Sequence, residues 1–467
     1  MRAWKEHAWV VGEYLIRVEA RLSKLIALVN PNRLQPGVAP IALDYLASAL
    51  ERHGHDVRVL DLCHVRDPKA AIHDFFRETK PDLIGISIRN LDDVVFDCFL
   101  AEEIKPLVEE IRRSSDARIV LGGSGFSIAP ELLLDYFGVD LGIAGEGEEA
   151  LPMLASDRSD QSDQSDRSGI PGLVYRDGSG IRRNPIGCAD VRSLHLAKRG
   201  RVAHDAYFYK KGRKGCAGVQ TKRGCSNRCI YCIVPNIEGT VVRLRDPAEI
   251  ADEMENLAAS GAKRVFFCDS EFNYPMEHAH SVCEELISRR IAGKLTWQAY
   301  ASPGEFDADL ARKMKEAGCD LLIATIDSGD DAILERLGKP FRSDDAVKLI
   351  RACQQAELNA IYCLTLGGPG ETIETVLKTL NMMRSLKPAK VTFGEPPGLR
   401  IYPGTPLESI VRDEGFTRSN PNLHGPVEGN EDLLRPVYYL SRGMGFLIPI
   451  IQLQRRLGHW HHRLVRG

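Results

Sequence analysis

The sequence predicts an α/β protein made of two successive runs of β/α units, and three observations carry that prediction. Short apolar segments alternate with amphipathic ones from Leu25 to Ala144, the alternation stops at a polar stretch, and it resumes at Ala217 for six further strand-like segments. Strands separated by helices make parallel sheets, whose ligands sit at the carboxyl ends of the strands. At 467 residues the chain is longer than one core organises, so two domains with additions are expected.

In the first run, the strand Leu25–Val29 ends at Asn30-Pro31-Asn32, and the helix Ile41–Arg52 follows Pro40 and stops before Gly54, a C′ glycine. Strand Val57–Leu60, helix Pro68–Glu78, strand Leu83–Ser87, a helix from near Val94 to Arg112, strand Arg118–Leu121 and strand Leu141–Ala144 complete a doubly wound unit. Its strand ends gather Pro31, Asn32, Ser87, Gly122, Gly123 and Gly145-Glu146-Gly147-Glu148 on one rim. Glycines there let backbone approach a bulky ligand or its phosphate.

Ser156–Ser168 is a polar run without one apolar residue, expected as a surface loop. Gly172–Asn184 reads as a hairpin turning at Asp177-Gly178. His204–Lys214 is aromatic and basic, suited to a substrate or cofactor phosphate and equally to a solvated lead-in. The second run has strands Ala217–Gln220, Arg264–Phe267, Leu295–Ala299, Leu321–Ile326, Ile361–Leu366 and Lys390–Phe393. Asp246 caps its first helix with Pro247 at N1, Ile250, Met254 and Leu257 form one apolar face, and Gly261 ends it. Six strands fit a partial barrel with chemistry in the loops after the strands. The expected divisions are an extension 1–24, a first domain 25–152, a linker 153–214, a second domain 215–410 and a small helical cap 411–467. The cap ends in a basic tail, read as an amphipathic surface helix, with membrane contact the lesser reading.

Hydrophobic residues make up 43% and charged residues 27% of the chain, the balance of a soluble globular protein. A net charge of −3 leaves no global basic field for nucleic acid. No stretch approaches the apolar length of a membrane span or has the form of a secretory leader, and twelve scattered cysteines suit a reducing compartment, so the expectation is cytoplasmic.

Between the first two barrel strands lies Thr221-Lys-Arg-Gly-Cys225-Ser-Asn-Arg-Cys229-Ile-Tyr231-Cys232. Thiolates spaced C-x3-C-x2-C converge on one soft metal centre from a single loop. Three are one short of a closed site, so a [4Fe-4S] cluster held there keeps one iron open; a zinc loop completed by Cys216 or His204 is the structural alternative. The motif, with Tyr231 before its last cysteine, resembles the cluster loop of radical S-adenosylmethionine (SAM) enzymes. Asn30-Pro31, Pro36 to Pro40, Ile86-Ser87-Ile88, Gly122-Gly123 and the G-E-G-E at Gly145–Glu148 resemble the cobalamin-binding domain fused to many of them.

The resemblance, which spans about residues 25 to 410, implies a cobalamin-binding domain followed by a partial radical SAM barrel. It implies that Cys225, Cys229 and Cys232 bind the cluster, and that SAM is bound by Tyr231, Asp269, Ser270, Glu271, Asp327, Ser328, Gly367 and Gly368. Cobalamin falls to Pro31, Asn32, Ser87, Gly122, Gly123, Glu146 and Gly147, and Tyr300, Arg400 and Tyr402 are candidates to face the cavity. Two departures stand out. The D-x-H-x-x-G signature of a cobalt-ligating histidine is absent, since Asp61-Leu-Cys63-His64 lacks its spacing and glycine, and Tyr300 stands where many relatives carry arginine. The implied activity is methyl transfer from SAM through methylcobalamin to carbon of a small-molecule or peptide substrate, with an external flavodoxin- or ferredoxin-type electron donor. Rearrangement or cyclisation with the same cofactors, and a non-enzymatic metal scaffold, are the alternatives. No catalytic residue is assigned.

Overall fold

A computed structural model describes residues 23–34, 37–92, 99–156, 167–193, 199, 201, 207, 209–210, 213–214, 216–393, 397–430 and 432–447. The N-terminal extension, Pro36, most of the polar run, His204 and the basic tail lie outside the described residues.

The first unit runs β1 (Leu25–Asn30), α1 (Ile41–Arg52), β2 (Asp56–Asp61), α2 (Pro68–Glu78), β3 (Leu83–Ser87), α3 (Ala101–Ser114), β4 (Arg118–Gly122) and β5 (Leu141–Ile143). These five strands are parallel in the order β2-β1-β3-β4-β5. Ile26 to Val29 are all buried because helices cover both faces, and two apolar layers lie on opposite sides of the sheet. The hairpin expected within the linker, β6 (Leu173–Asp177) and β7 (Gly180–Arg183), extends this sheet: Leu141 pairs with Tyr175 antiparallel. It covers an edge that β5 would otherwise leave open. Helix α3 runs from Ala101, and Asp92 pairs with Phe99 as an isolated bridge; Val94, near which the sequence starts this helix, lies outside the described residues.

The second unit begins with β8 (Ala217–Val219) and a two-stranded ribbon, β9 (Lys222–Arg223) with β10 (Arg243–Leu244), which carries the cysteine loop between its arms. Helix α4 (Pro247–Ala259) follows, and the Asp246 carboxylate accepts from Ala248 N as the sequence predicts, a cap worth about 1 kcal/mol. Then come β11 (Arg264–Phe267), β12 (Thr296–Ala301), β13 (Cys319–Asp327), β14 (Ala360–Leu364) and β15 (Val391–Phe393). The six strands β8-β11-β12-β13-β14-β15 are parallel and in sequence order, an open barrel. Phe267 stacks on Phe272 at 5.3 Å and both tilt against Trp297, whose Nε1–H donates to Ala317 O, so the largest core side chain leaves no polar atom unpaired. Beyond the barrel, helix α5 (Pro406–Glu414) and the short helical turn Arg442–Leu447 flank a three-stranded antiparallel sheet of Leu399–Arg400, Tyr438–Tyr439 and Leu423–His424. No helix of the described residues is long and apolar enough to cross a membrane.

Buried charge joins the two sheets. Glu253 of α4 accepts from Arg245 Nη1 at 2.8 Å and pairs with Arg199, while Tyr45 of α1 donates to it at 3.4 Å. Glu253 and Arg245 are each about 99% buried (1% exposed), so neither charge is tolerable without the other.

Candidate active site between the domains

The barrel mouth opens into a cavity of about 710 Å³. Cys225, Cys229 and Cys232 line one wall; Phe266, Cys268, Gln298, Tyr300 and Ile323 line the floor, and Arg89 reaches it from the first domain. The loop that carries the thiols is held tightly. Gly224 has φ +87°, and a Cβ there would lie 2.2 Å from Val241 O, so only glycine makes this turn. Gly224 N donates to Glu238 Oε2 at 3.1 Å and Cys225 N to Gly239 O at 3.1 Å.

Burial raises the pKa of all three thiols, Cys232 to about 11; neighbouring thiols add to it at Cys229 and Cys232, and Glu271 and Glu238 at Cys225. Each therefore stays protonated near neutrality until a metal displaces the proton. Among the described residues no three His, Cys, Asp or Glu side chains are already drawn together around an ion position. The three thiols share one wall and sense each other's charge, and soft donors of that number suit an iron–sulfur cluster with one iron lacking a protein thiolate.

The acidic candidates separate by environment. Asp269 accepts from Thr221 N at 2.8 Å, Thr221 Oγ1 at 2.5 Å and Lys222 N at 3.3 Å, so its carboxylate fastens the strand leading into the cysteine loop. Among the described residues Glu271 accepts from Thr325 Oγ1 alone, at 3.3 Å, and its Oε2 has no partner. Burial lifts its pKa to about 7, with Asp327 pushing the same way and Lys339 opposing. Asp327 sits at φ +59° after a bulge in β13, pairs with Lys339 at 2.5 Å and accepts from Thr365 Oγ1 at 2.5 Å. Lys339 also donates to Tyr231 Oη at 2.8 Å. Burial works against the Lys339 ammonium, but Asp327 and Tyr231 outweigh it and its pKa is raised.

Across the gap, a crevice of about 230 Å³ lies at the carboxyl ends of β1 and β3 to β5. Ser87, Gly122, Gly123, Glu146, Gly147 and Glu148 line it with apolar Leu28, Leu43 and Leu46 behind, a narrow cleft sized for the tail of a larger ligand. Gly123, at φ +98°, approaches Ile88 O so closely that a Cβ would lie at 2.7 Å. Pro31 and Asn32 stay outside the crevice lining; Asn32 Nδ2 donates to Asn90 Oδ1 at 3.0 Å. Asp61 accepts from Tyr207 Oη and Asn30 Nδ2, and His64 packs edge-on against Tyr207.

Tyr231, Asp269, Ser270, Glu271 and Tyr300 therefore line the cavity as the resemblance implies, and Asp327 touches it through Tyr231 and Lys339. Ser328 does not line it: it is fully buried, facing Thr379. Gly367 and Gly368 also stay off the cavity wall, in a turn that the Glu371 carboxylate closes by accepting from Gly367 N. Arg400 departs from expectation. Its guanidinium donates to Asp92 Oδ2 at 3.1 Å with both side chains buried, because an unpaired aspartate between the domains would be prohibitively desolvated. Tyr402 lies under that guanidinium and lines a separate interdomain pocket of about 230 Å³. Gln298, Thr325, Cys216 and Cys268 line the cavity without having been singled out as its residues. For Gln298 the signal was present: it lies two residues before Tyr300 on β12, hence on the same face.

Comparison with known proteins matches residues 33–155 to the B12 binding domain and residues 219–383 to the radical SAM superfamily. The radical S-adenosylmethionine methyltransferase TsrM from Kitasatospora setae, solved with cobalamin and a [4Fe-4S] cluster, is 32% identical with a TM-score of 0.81, over 90% of this chain and 88% of that one. TsrM solved with tryptophan and the SAM analogue aza-SAM is similar to the same degree, at 31% identity and a TM-score of 0.81 over 91% and 87%. The tryptophan 2-C-methyltransferase of Streptomyces laurentii is 29% identical, covering 83% of this chain and 74% of that protein.

Proposed function

The chain belongs to the cobalamin-dependent radical SAM methyltransferases, and from that premise we propose that it methylates a ring carbon of tryptophan or a close indole relative. It is a C-methyltransferase; the substrate is our reading. The observation that carries it is likeness over nearly the whole of both chains to an enzyme solved with tryptophan in place. The cavity agrees with it: Phe266, Ile323 and Tyr300 offer apolar and aromatic surface to an indole, while Gln298 offers a polar handle.

When bound, the cluster and SAM supply one-electron chemistry and methyl groups, and cobalamin relays methyl to carbon. Cys225, Cys229 and Cys232 would hold the cluster, and the rim from Ser87 through Gly122-Gly123 to Gly147 would hold the corrin. Tyr231, Lys339 and Asp327 form one hydrogen-bonded set beside the thiols, positioned to orient the amino-acid end of SAM. Glu271 can hold or release a proton near neutrality, at Oε2. Phe266, Ile323 and Tyr300 would shield the reacting carbon from water once substrate and cofactors fill the cavity. His64 packs on Tyr207 and is not part of the crevice lining. We place the enzyme in the cytoplasm, with a flavodoxin- or ferredoxin-type donor.

The test is anaerobic reconstitution with iron, sulfide and hydroxocobalamin, followed by incubation of L-tryptophan with methyl-labelled SAM. Label on the indole ring is expected. A product without label, or labelled transfer to other acceptors with tryptophan untouched, overturns the substrate assignment.

A further inference from the structure

The ribbon β9–β10 aims two arginines out of the barrel and into the first domain. Arg223 donates through Nη2 to Glu148 Oε1 at 2.6 Å and lies 3.3 Å from Glu146 Oε2 through Nη1. Its Nε donates to Gln220 Oε1 at 3.1 Å, so every edge of the guanidinium is engaged. Arg243, directly opposite Arg223 in the ribbon, donates to the Glu146 carboxylate from both terminal nitrogens. The Arg223, Glu146 and Glu148 side chains are 7–8% exposed.

Two consequences meet at this cluster. Glu146, Glu148 and Arg223 are themselves wall of the crevice above the first sheet, so whatever fills the crevice touches them directly. Arg223 is also two residues from Cys225 and adjoins Gly224, whose turn has no steric freedom. The ion cluster thus has one side on the corrin crevice and the other on the cysteine loop.

We propose that Arg223 is a positioning residue that couples the crevice to the cysteine loop, so that occupancy of the first site and cluster loading of the second favour one another. The proposal rests on the cofactor assignment above and concerns binding, not the methylated substrate. A filled crevice fixes Glu148; Glu148 fixes Arg223; Arg223 fixes the entry of the loop that presents Cys225. Coupling is reciprocal, so a loaded cluster must tighten corrinoid binding by the same factor.

The experiment uses the full chain. The dissociation constant for hydroxocobalamin is measured by equilibrium dialysis on cluster-free and on reconstituted protein, with iron and sulfide determined on each sample and the reduced cluster's EPR spectrum recorded with and without hydroxocobalamin. For the wild type the ratio of the two constants is expected to be on the order of tenfold, with a shifted EPR line shape. In Arg223→Gln the ratio collapses towards one and the EPR spectrum no longer responds, whatever the fall in either cofactor's own affinity from losing a wall residue. Glu148→Gln does the same, and Arg223→Lys recovers part of the ratio because it keeps the charge without the fork. If Arg223→Gln does not fold, Glu148→Gln carries the measurement. A ratio near one in the wild type, or a wild-type ratio retained in both variants, overturns the coupling. Absence of corrinoid binding to the wild type defeats the cofactor assignment and the coupling with it, whereas coupling without tryptophan methylation leaves this inference standing and defeats only the substrate.

Discussion

Glu271 makes the stability of the metal-free protein pH-dependent, and replacing it with glutamine isolates the effect. Its pKa rises from 4.5 to about 7 on folding because burial penalises the charged form. The folded state therefore holds this proton more tightly than the unfolded chain. The associated stability is fully present below the unfolded pKa of 4.5 and is lost as pH rises through about 7. A shift of about 2.5 units is worth at most ~3.4 kcal/mol, and the part lost between about pH 5.5 and about pH 8 is ~2 kcal/mol. Because Glu271 lines a cavity that water reaches, screening reduces this to ~1 kcal/mol. Urea unfolding of cluster-free, reduced wild type and Glu271→Gln across that range measures it. Glutamine does not ionise, so the variant gains on the wild type by ~1 kcal/mol as pH rises. Glu371, also raised to about 7, titrates in both proteins and cancels. Parallel pH profiles would refute the reasoning.

Further outcomes follow from the same geometry. Glu253→Gln leaves Arg245 buried without a counter-charge and Arg199 with Asp44 alone, and costs ~3–5 kcal/mol in urea unfolding, whereas removing the exposed Arg418–Glu428 pair changes stability by less than ~1 kcal/mol. Gly224→Ala forces a Cβ onto Val241 O and strains the loop by ~1–3 kcal/mol; reconstituted iron content falls while the crevice still binds corrinoid. Alanine at Cys225, Cys229 or Cys232 abolishes iron and sulfide uptake. Alanine at Cys216, a candidate fourth ligand of a zinc loop, leaves both unchanged, and a loss of metal there would favour zinc.

Much of the architecture was legible because it depends on local signals. Helices Ile41–Arg52 and Pro68–Glu78 and strands Leu83–Ser87 and Arg264–Phe267 fall within the predicted bounds, since apolar periodicity, Pro at N1 and Asp caps act over one or two turns. The cysteine loop was legible for the same reason, its three thiols lying within eight residues of one another. The site's second half was not. The resemblance made Arg400 a candidate to face the cavity, yet the fold commits it to Asp92 across the domain boundary; Glu146 does line the crevice, but its pairing with Arg243 is set by the fold and not by any local pattern.

From the sequence alone came the order of elements, the two-domain plan and the chemistry available at three thiols, all set by residues near one another along the chain. Only the tertiary structure decided which carboxylates remain available. Asp269 and Glu271 differ by two positions, but one is saturated by Thr221 and Lys222 while the other keeps an oxygen without a partner. Desolvation and ion pairing depend on what approaches through space, and no local pattern encodes the distance from Arg223 to Glu148.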